Sequence, residues 1–128
     1  MVRPRTATPA ARAEVVCARA EAWPAGLEAH DLVVARALAP LTTLVEYAAP
    51  LLAPGGWLVA YKGRRDAAEE ADGDAAAAAL GMTVPEARVA APYENAGERH
   101  LYLSSKVGST PNGYPRRPGM ARKRPLRA

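Results

Sequence analysis

The sequence predicts an α/β fold: a mostly parallel sheet covered by helices, ending in an antiparallel hairpin and followed by a basic tail. Three observations carry this expectation. Leu32-Val33-Val34-Ala35 and Trp57-Leu58-Val59-Ala60-Tyr61 are continuous apolar runs, the pattern of strands buried on both faces rather than the alternation of a strand with one wet face. Between them, apolar residues recur at helical spacing. A second helical stretch then leads into two short strand-like runs parted by a turn.

The elements follow in order. Residues 1–13, MVRPRTATPAARA, are rich in Arg, Pro and Ala, hold no acid and lack the apolar stretch of a secretory signal. They faintly resemble a transit peptide and read as a disordered leader. The domain spans residues 14–105. Glu14 to Cys17 (EVVC) is a short strand-like run, followed by a loop with one helical turn before Pro24. His30 and Asp31 open the first buried strand. Pro40 suits a first helical turn, and Leu41, Leu44, Val45, Ala48, Leu51 and Leu52 form one apolar helix face that Pro54-Gly55-Gly56 ends. Trp57 to Tyr61 is the next strand, closing at Lys62-Gly63. Asp66 with Glu69 predicts an N-cap pair for a helix through Leu80 that stops at Gly81. Gly73 lies inside that alanine-rich helix, so packing rather than propensity must hold it. Thr83 to Val89 is a third strand, and Leu101 to Leu103, after a Glu94–Gly97 turn, a fourth.

The tail, residues 106–128, carries seven Lys or Arg, no acid, and prolines at Pro111, Pro115, Pro118 and Pro125. Proline removes backbone donors and blocks the helical turn, so the tail is disordered or extended. Formal net charge over the 128 residues is +4. It divides unevenly: residues 1–105 hold 10 cations against all 13 acids, giving −3, and the tail gives +7. Positive charge gathered at one end suits a polyanionic partner such as nucleic acid, because neutralised phosphates release counterions. It equally suits a solvated tail that binds nothing.

One cysteine, Cys17, excludes an internal disulfide framework and fits a reducing compartment. Beside a strand end it reads as a small buried hydrophobe rather than a nucleophile. No window approaches the ~18 apolar residues of a membrane span, and cytoplasm is the default. His30 and His100 have no metal-ligand neighbour at suitable spacing, so no metal site is expected. Three polar positions fall where open α/β sheets place ligands, at the carboxyl ends of strands: Ala20-Glu21, Arg36 and Lys62. A carboxylate and two cations there suit a zwitterionic or nucleotide-bearing ligand. Polar strand ends are also what exposure alone produces.

The order of VVCARAEAW, HDLVVARALAPL, LLAPGGWLVAYKG, GERHLYLSSK and TPNGYPRRPGMARKRPL resembles the carboxyl-terminal half of the bacterial small-subunit ribosomal RNA methyltransferase G family, also called glucose-inhibited division protein B. The resemblance runs from about Glu14 to Leu126. It implies a partial Rossmann-like class I methyltransferase sheet, S-adenosylmethionine as cofactor, and methyl transfer to N7 of one guanine in 16S rRNA or the small ribosomal subunit. By the same resemblance Ala20, Glu21 and Arg36 border the cofactor. Lys62 faces the substrate phosphates or the target guanine, and Arg99 and His100, in the turn into the last strand, either face RNA or serve the structure. Arg116, Arg117, Arg122, Lys123 and Arg124 fit the basic ending, and Tyr114 either helps hold a guanine or packs the tail.

The resemblance also has a gap. The family's GxGxGxPG-type loop and the acidic residue after its second strand are not in the sequence, so the chain resembles a member without its amino-terminal half. In the implied strand order 3-2-1-4-5-7-6, the block 4-5-7-6 remains and Asp31 to Ala35 becomes an edge. Glu14 to Cys17, the family's strand 3, has lost its neighbours and is expected to be loose. Besides a methyltransferase fragment, whether active or inactive alone, two readings stay open: an RNA-binding module without catalysis, and a fragment that completes a partner's sheet.

Overall fold

The computed structural model describes residues 12–36, 39–90 and 97–128. The leader lies almost wholly outside these residues, as do Ala37 and most of the Glu94–Gly97 turn. Four strands and two main helices form a two-layer α/β fold: β1 (His30–Arg36), α1 (Leu41–Leu51), β2 (Leu52–Lys62), α2 (Ala67–Ala79), β3 (Glu86–Val89) and β4 (His100–Ser105). A short helix, α3 (Met120–Lys123), lies in the tail. The sheet order is β1-β2-β4-β3. β1 runs parallel to β2, whereas β4 is antiparallel to both β2 and β3. This is the expected 4-5-7-6 block, with β1 as its free edge.

Both helices cover one face. Leu41, Leu44, Val45 and Ala48 from α1 and Ala76, Ala77 and Leu80 from α2 and its C-cap meet Leu58, Ala60 and Tyr102 from the sheet, with Val33, Ala35 and Ala87 packed against them. The helices cross where Gly73 lets them close, since a Cβ there would stand 2.7 Å from Leu41 Cδ2. Asp66 caps α2 as expected, its carboxylate accepting from the Glu69 N–H at 3.0 Å. α1 starts beside Pro40, whose carbonyl accepts from Thr43 and Leu44.

Among the described residues the opposite face is bare. Leu32, Val34 and Arg36 alternate onto it beside Trp57, Val59 and Tyr61, with Leu101 and Leu103 next in register. Leu32 and Val34 are each 54% exposed and Trp57 is 47% exposed. The apolar runs are therefore those of strands meant for cover on both sides, with one side covered.

Glu14 to Cys17, expected to be loose, forms no strand and pairs with none of the described strands. Several other expectations need correction. Cys17 is exposed rather than buried, because no core lies beneath that segment. Pro54-Gly55-Gly56 does not separate α1 from β2. The helix passes directly into the strand, and the glycines sit where the β1–β2 register shifts. Gly55, at φ 83°, takes a conformation open to glycine, and its N–H donates to the Lys106 carbonyl. The third strand is shorter than expected because Pro85 has no donor, and the fourth is longer. Lys106, counted with the tail, is 2% exposed. Its ammonium donates to the Ala49 and Leu52 carbonyls at 2.9 and 2.8 Å, where a cation suits the end of α1.

The tail folds back along α1. Thr42 Oγ1 donates to the Leu126 carbonyl and Thr43 Oγ1 to that of Ala121. Arg116 grips Glu46 through both Nε, at 2.7 Å, and Nη2. It is an ordered strap rather than a disordered or wholly extended tail: between Pro118 and Pro125 there is room for the one turn of α3, and backbone groups on either side of it bond to helix side chains.

Candidate functional site

The carboxyl ends of β1 and β2 bring together Arg36, Tyr61 and Lys62. The Arg36 guanidinium lies 5.9 Å from the centre of the Tyr61 ring, a cation–π contact at an exposed site. Lys62, next along β2, points to the helix side. Its ammonium meets Glu69 Oε2 at 2.7 Å and the Ala39 carbonyl at 3.0 Å. Glu69 Oε2 also accepts from the Leu41 N–H at 2.8 Å, so one carboxylate joins the lysine to the first turn of α1, where negative charge is favoured. The Lys62 cation is thus engaged within the domain.

Beyond β2, His100 Nδ1 lies 2.8 Å from the Gly63 carbonyl, and Arg99 is exposed with Nη1 donating to the Glu98 carbonyl. Below them Arg65 holds Glu70 through two hydrogen bonds of 2.8 and 2.7 Å, and Tyr102 donates to the same carboxylate at 2.6 Å. The Arg65 bonds, with that of Tyr102, pull the Glu70 carboxyl down to about 2. Burial, helped by Glu70, pushes the Tyr102 hydroxyl up to about 12.

Ala20 and Glu21 lie elsewhere. They form a 3-10 turn, Ala20–Ala22, on the α1 side of the molecule. Glu21 Oε1 accepts from Arg19 Nε at 3.3 Å, and Oε2 from the Gly119 N–H at 3.3 Å. Burial pushes this carboxyl up, but its own backbone N–H, Gly119 and Arg19 outweigh that and hold it below its ordinary value. The expected meeting of Glu21 with Arg36 in one hollow is not formed: Arg36 stands on the bare sheet face and Glu21 on the helix side. The reason is that Glu14 to Cys17 is not in the sheet, so no strand end fixes the turn after it. The described residues therefore do not assemble a pocket fitted to S-adenosylmethionine.

The tail divides in the same way. Arg116 is engaged with Glu46 and also donates to the Arg124 carbonyl, while Tyr114 packs against the core and carries the Arg116 guanidinium 5.7 Å from its ring centre. Arg117, Arg122, Lys123 and Arg124 are exposed. Among the described residues no group of three or more His, Cys, Asp or Glu could hold a metal, and no helix is long and apolar enough to cross a membrane.

A family model described as GidB, rRNA small subunit methyltransferase G, matches residues 6–102. The chain belongs to this family. It is 39% identical over 110 residues to proteins named ribosomal RNA small subunit methyltransferase G from Staphylococcus aureus strains JH9, Mu50 and N315. The alignment takes in 84% of this chain and 46% of each relative, so the chain spans about half the length of the curated relatives it matches.

Sequence reasoning missed Glu46 as the anchor of the tail. A signal existed: it is the sole charged residue in LTTLVEYAAPL, set beside apolar helix positions, in a chain whose tail has seven cations and no acid. It also missed the tie between Glu21 and Gly119, for which the sequence holds no local sign.

Proposed function

We propose that this chain is part of a methyltransferase that moves a methyl group from S-adenosylmethionine to N7 of a guanine in 16S rRNA, and that by itself it binds RNA without carrying out the transfer. The observation that supports the reading best is the 39% identity, across 84% of the chain, to proteins named for small-subunit ribosomal RNA methylation. The donor and the N7 acceptor rest on the resemblance of the motifs. Guanine N7 is itself nucleophilic, so such a reaction asks a protein chiefly for positioning.

In this reading Arg36 is the cofactor-side contact on the sheet. Ala20 and Glu21 join it only when the turn leaves Gly119. Further polypeptide, matching the part of the relatives that this chain does not span, completes the sheet at β1 and covers the bare face. Arg99, Arg117, Arg122, Lys123 and Arg124 meet phosphates, whereas Lys62 and Arg116 act through Glu69 and Glu46. The substrate would be met in the cytoplasm.

The test is one reaction holding the purified chain, 16S rRNA and tritiated S-adenosylmethionine, read for both RNA retention on a filter and label in the RNA. Retention that weakens with salt, without label, is expected. No retention at any salt would remove the RNA reading, and label transferred by the chain alone would remove the divided-site reading.

A further inference from the structure

We propose that the tail, clamped to α1, is a preformed phosphate-binding ridge whose fastening depends on the acidic residue Glu46. The inference rests on the RNA reading above and adds a site and a sign to it. The clamp has five ties: Glu46 to Arg116, Thr42 to the Leu126 carbonyl, Thr43 to the Ala121 carbonyl, Glu21 to the Gly119 N–H, and Asp72 to the Ala128 N–H. All five use α1, α2 or the Ala20–Ala22 turn on one side and the strap on the other. Each engages a strap backbone group or the single cation Arg116. Arg117, Lys123, Arg124 and Arg127 stay exposed along the strap.

A residue from the other end of the chain joins them. Arg19 Nη2 lies 4.0 Å from where a Cβ on Gly119 would stand, and its side chain is 59% exposed. Four exposed cations thus ride on a backbone that is tied down, with Arg19 beside them sharing its charge with Glu21; the acids that tie the strap are themselves engaged, Glu21 by Arg19 and Gly119, Asp72 by Ala128, and Glu46 buried under Arg116. Guanidinium and ammonium groups carried along one strap suit the repeating phosphates of a single strand. Because the strap's backbone is already tied down, binding does not have to freeze it.

The sign of one substitution separates this from simple charge attraction. Glu46→Gln removes a negative charge and frees Arg116. If the tail binds RNA as a flexible polycation, affinity rises, by about twofold for one charge some 10 Å away in water. If the strap must be fastened, affinity falls, by about tenfold as preorganisation is lost. Thr42→Val with Thr43→Val loosens the same clamp with no change in charge, and should weaken binding in the same direction.

The experiment measures fluorescence anisotropy of a labelled single-stranded RNA of about 20 nucleotides with the wild-type chain, Glu46→Gln and the double threonine variant. Circular dichroism checks that each is folded, and trypsin cleavage after the strap cations reports its release. Tight binding by the wild type with weaker binding and faster cleavage in both variants is the expected result. Wild-type binding that is unchanged or tighter in Glu46→Gln overturns the ridge and leaves a flexible tail. Absence of wild-type binding overturns the RNA reading itself. Arg19→Ala separates the joined residue, and should lower the log–log salt slope by about 0.7 to 0.9.

Discussion

Arg116→Met should destabilise the protein more than Glu46→Gln, and removing both charges together should restore most of the loss. The Glu46 side chain is 3% exposed and that of Arg116 is 22% exposed. Without Arg116 the carboxylate, buried from solvent, loses two hydrogen bonds, and breaking a buried pair from this side costs about 3 kcal/mol. Without the carboxylate, Arg116 can turn to solvent and keep its bond to the Arg124 carbonyl, so Glu46→Gln costs about 1 kcal/mol. The pair Glu46→Leu with Arg116→Met leaves no stranded charge and should lie within about 1 kcal/mol of wild type. Urea denaturation followed by circular dichroism gives the free energies. At roughly 4 °C per kcal/mol for a chain of this size, melting points should fall by about 12 and 4 °C for the two single variants. Equal losses in the single variants, or a double variant less stable than either, would refute the claim that the buried carboxylate dictates the tail's place.

Other outcomes follow from the same geometry. Gly73→Ala, which on an exposed helix would stabilise by about 1 kcal/mol, should instead destabilise, because the new Cβ meets Leu41 Cδ2 at 2.7 Å; urea midpoints decide the sign. Stability should also fall at both pH extremes. Glu70, held at about 2, contributes stability that is present above the unfolded value of about 4.3 and lost as pH drops through the folded value. Tyr102, raised to about 12, contributes stability that is present below about 10 and lost as pH climbs toward the folded value. Midpoints measured from acid to alkaline pH should trace that plateau, and Glu70→Gln should flatten its acid limb.

The sheet was legible because its strands announce themselves locally. Four apolar residues before Arg36 and five before Lys62 have no alternation to suggest a wet face, and the motif order then fixes which strand neighbours which. The Asp66 cap was legible because its partner is three residues away. What was not legible lies in pairings distant along the chain. Glu46 and Arg116 are 70 residues apart, and Glu21 and Gly119 are 98 apart, so no window contains either pair. Pro54-Gly55-Gly56 misled for a different reason: β2 already begins at Leu52, and these residues make an irregularity inside the strand rather than a break before it. The candidate site failed where resemblance supplied the position of a strand that finds no neighbour among the described residues. Arg36 kept its place because β1 pairs with β2, and Glu21 moved because nothing holds Glu14 to Cys17 in the sheet.

The most direct measurement is calorimetric titration of the purified chain with S-adenosylmethionine. With Arg36 on the bare face and Glu21 tied to Gly119 across the sheet, no saturable heat is predicted. A stoichiometric isotherm would mean that the two residues meet in one pocket after all, contradicting the separation on which the functional account depends.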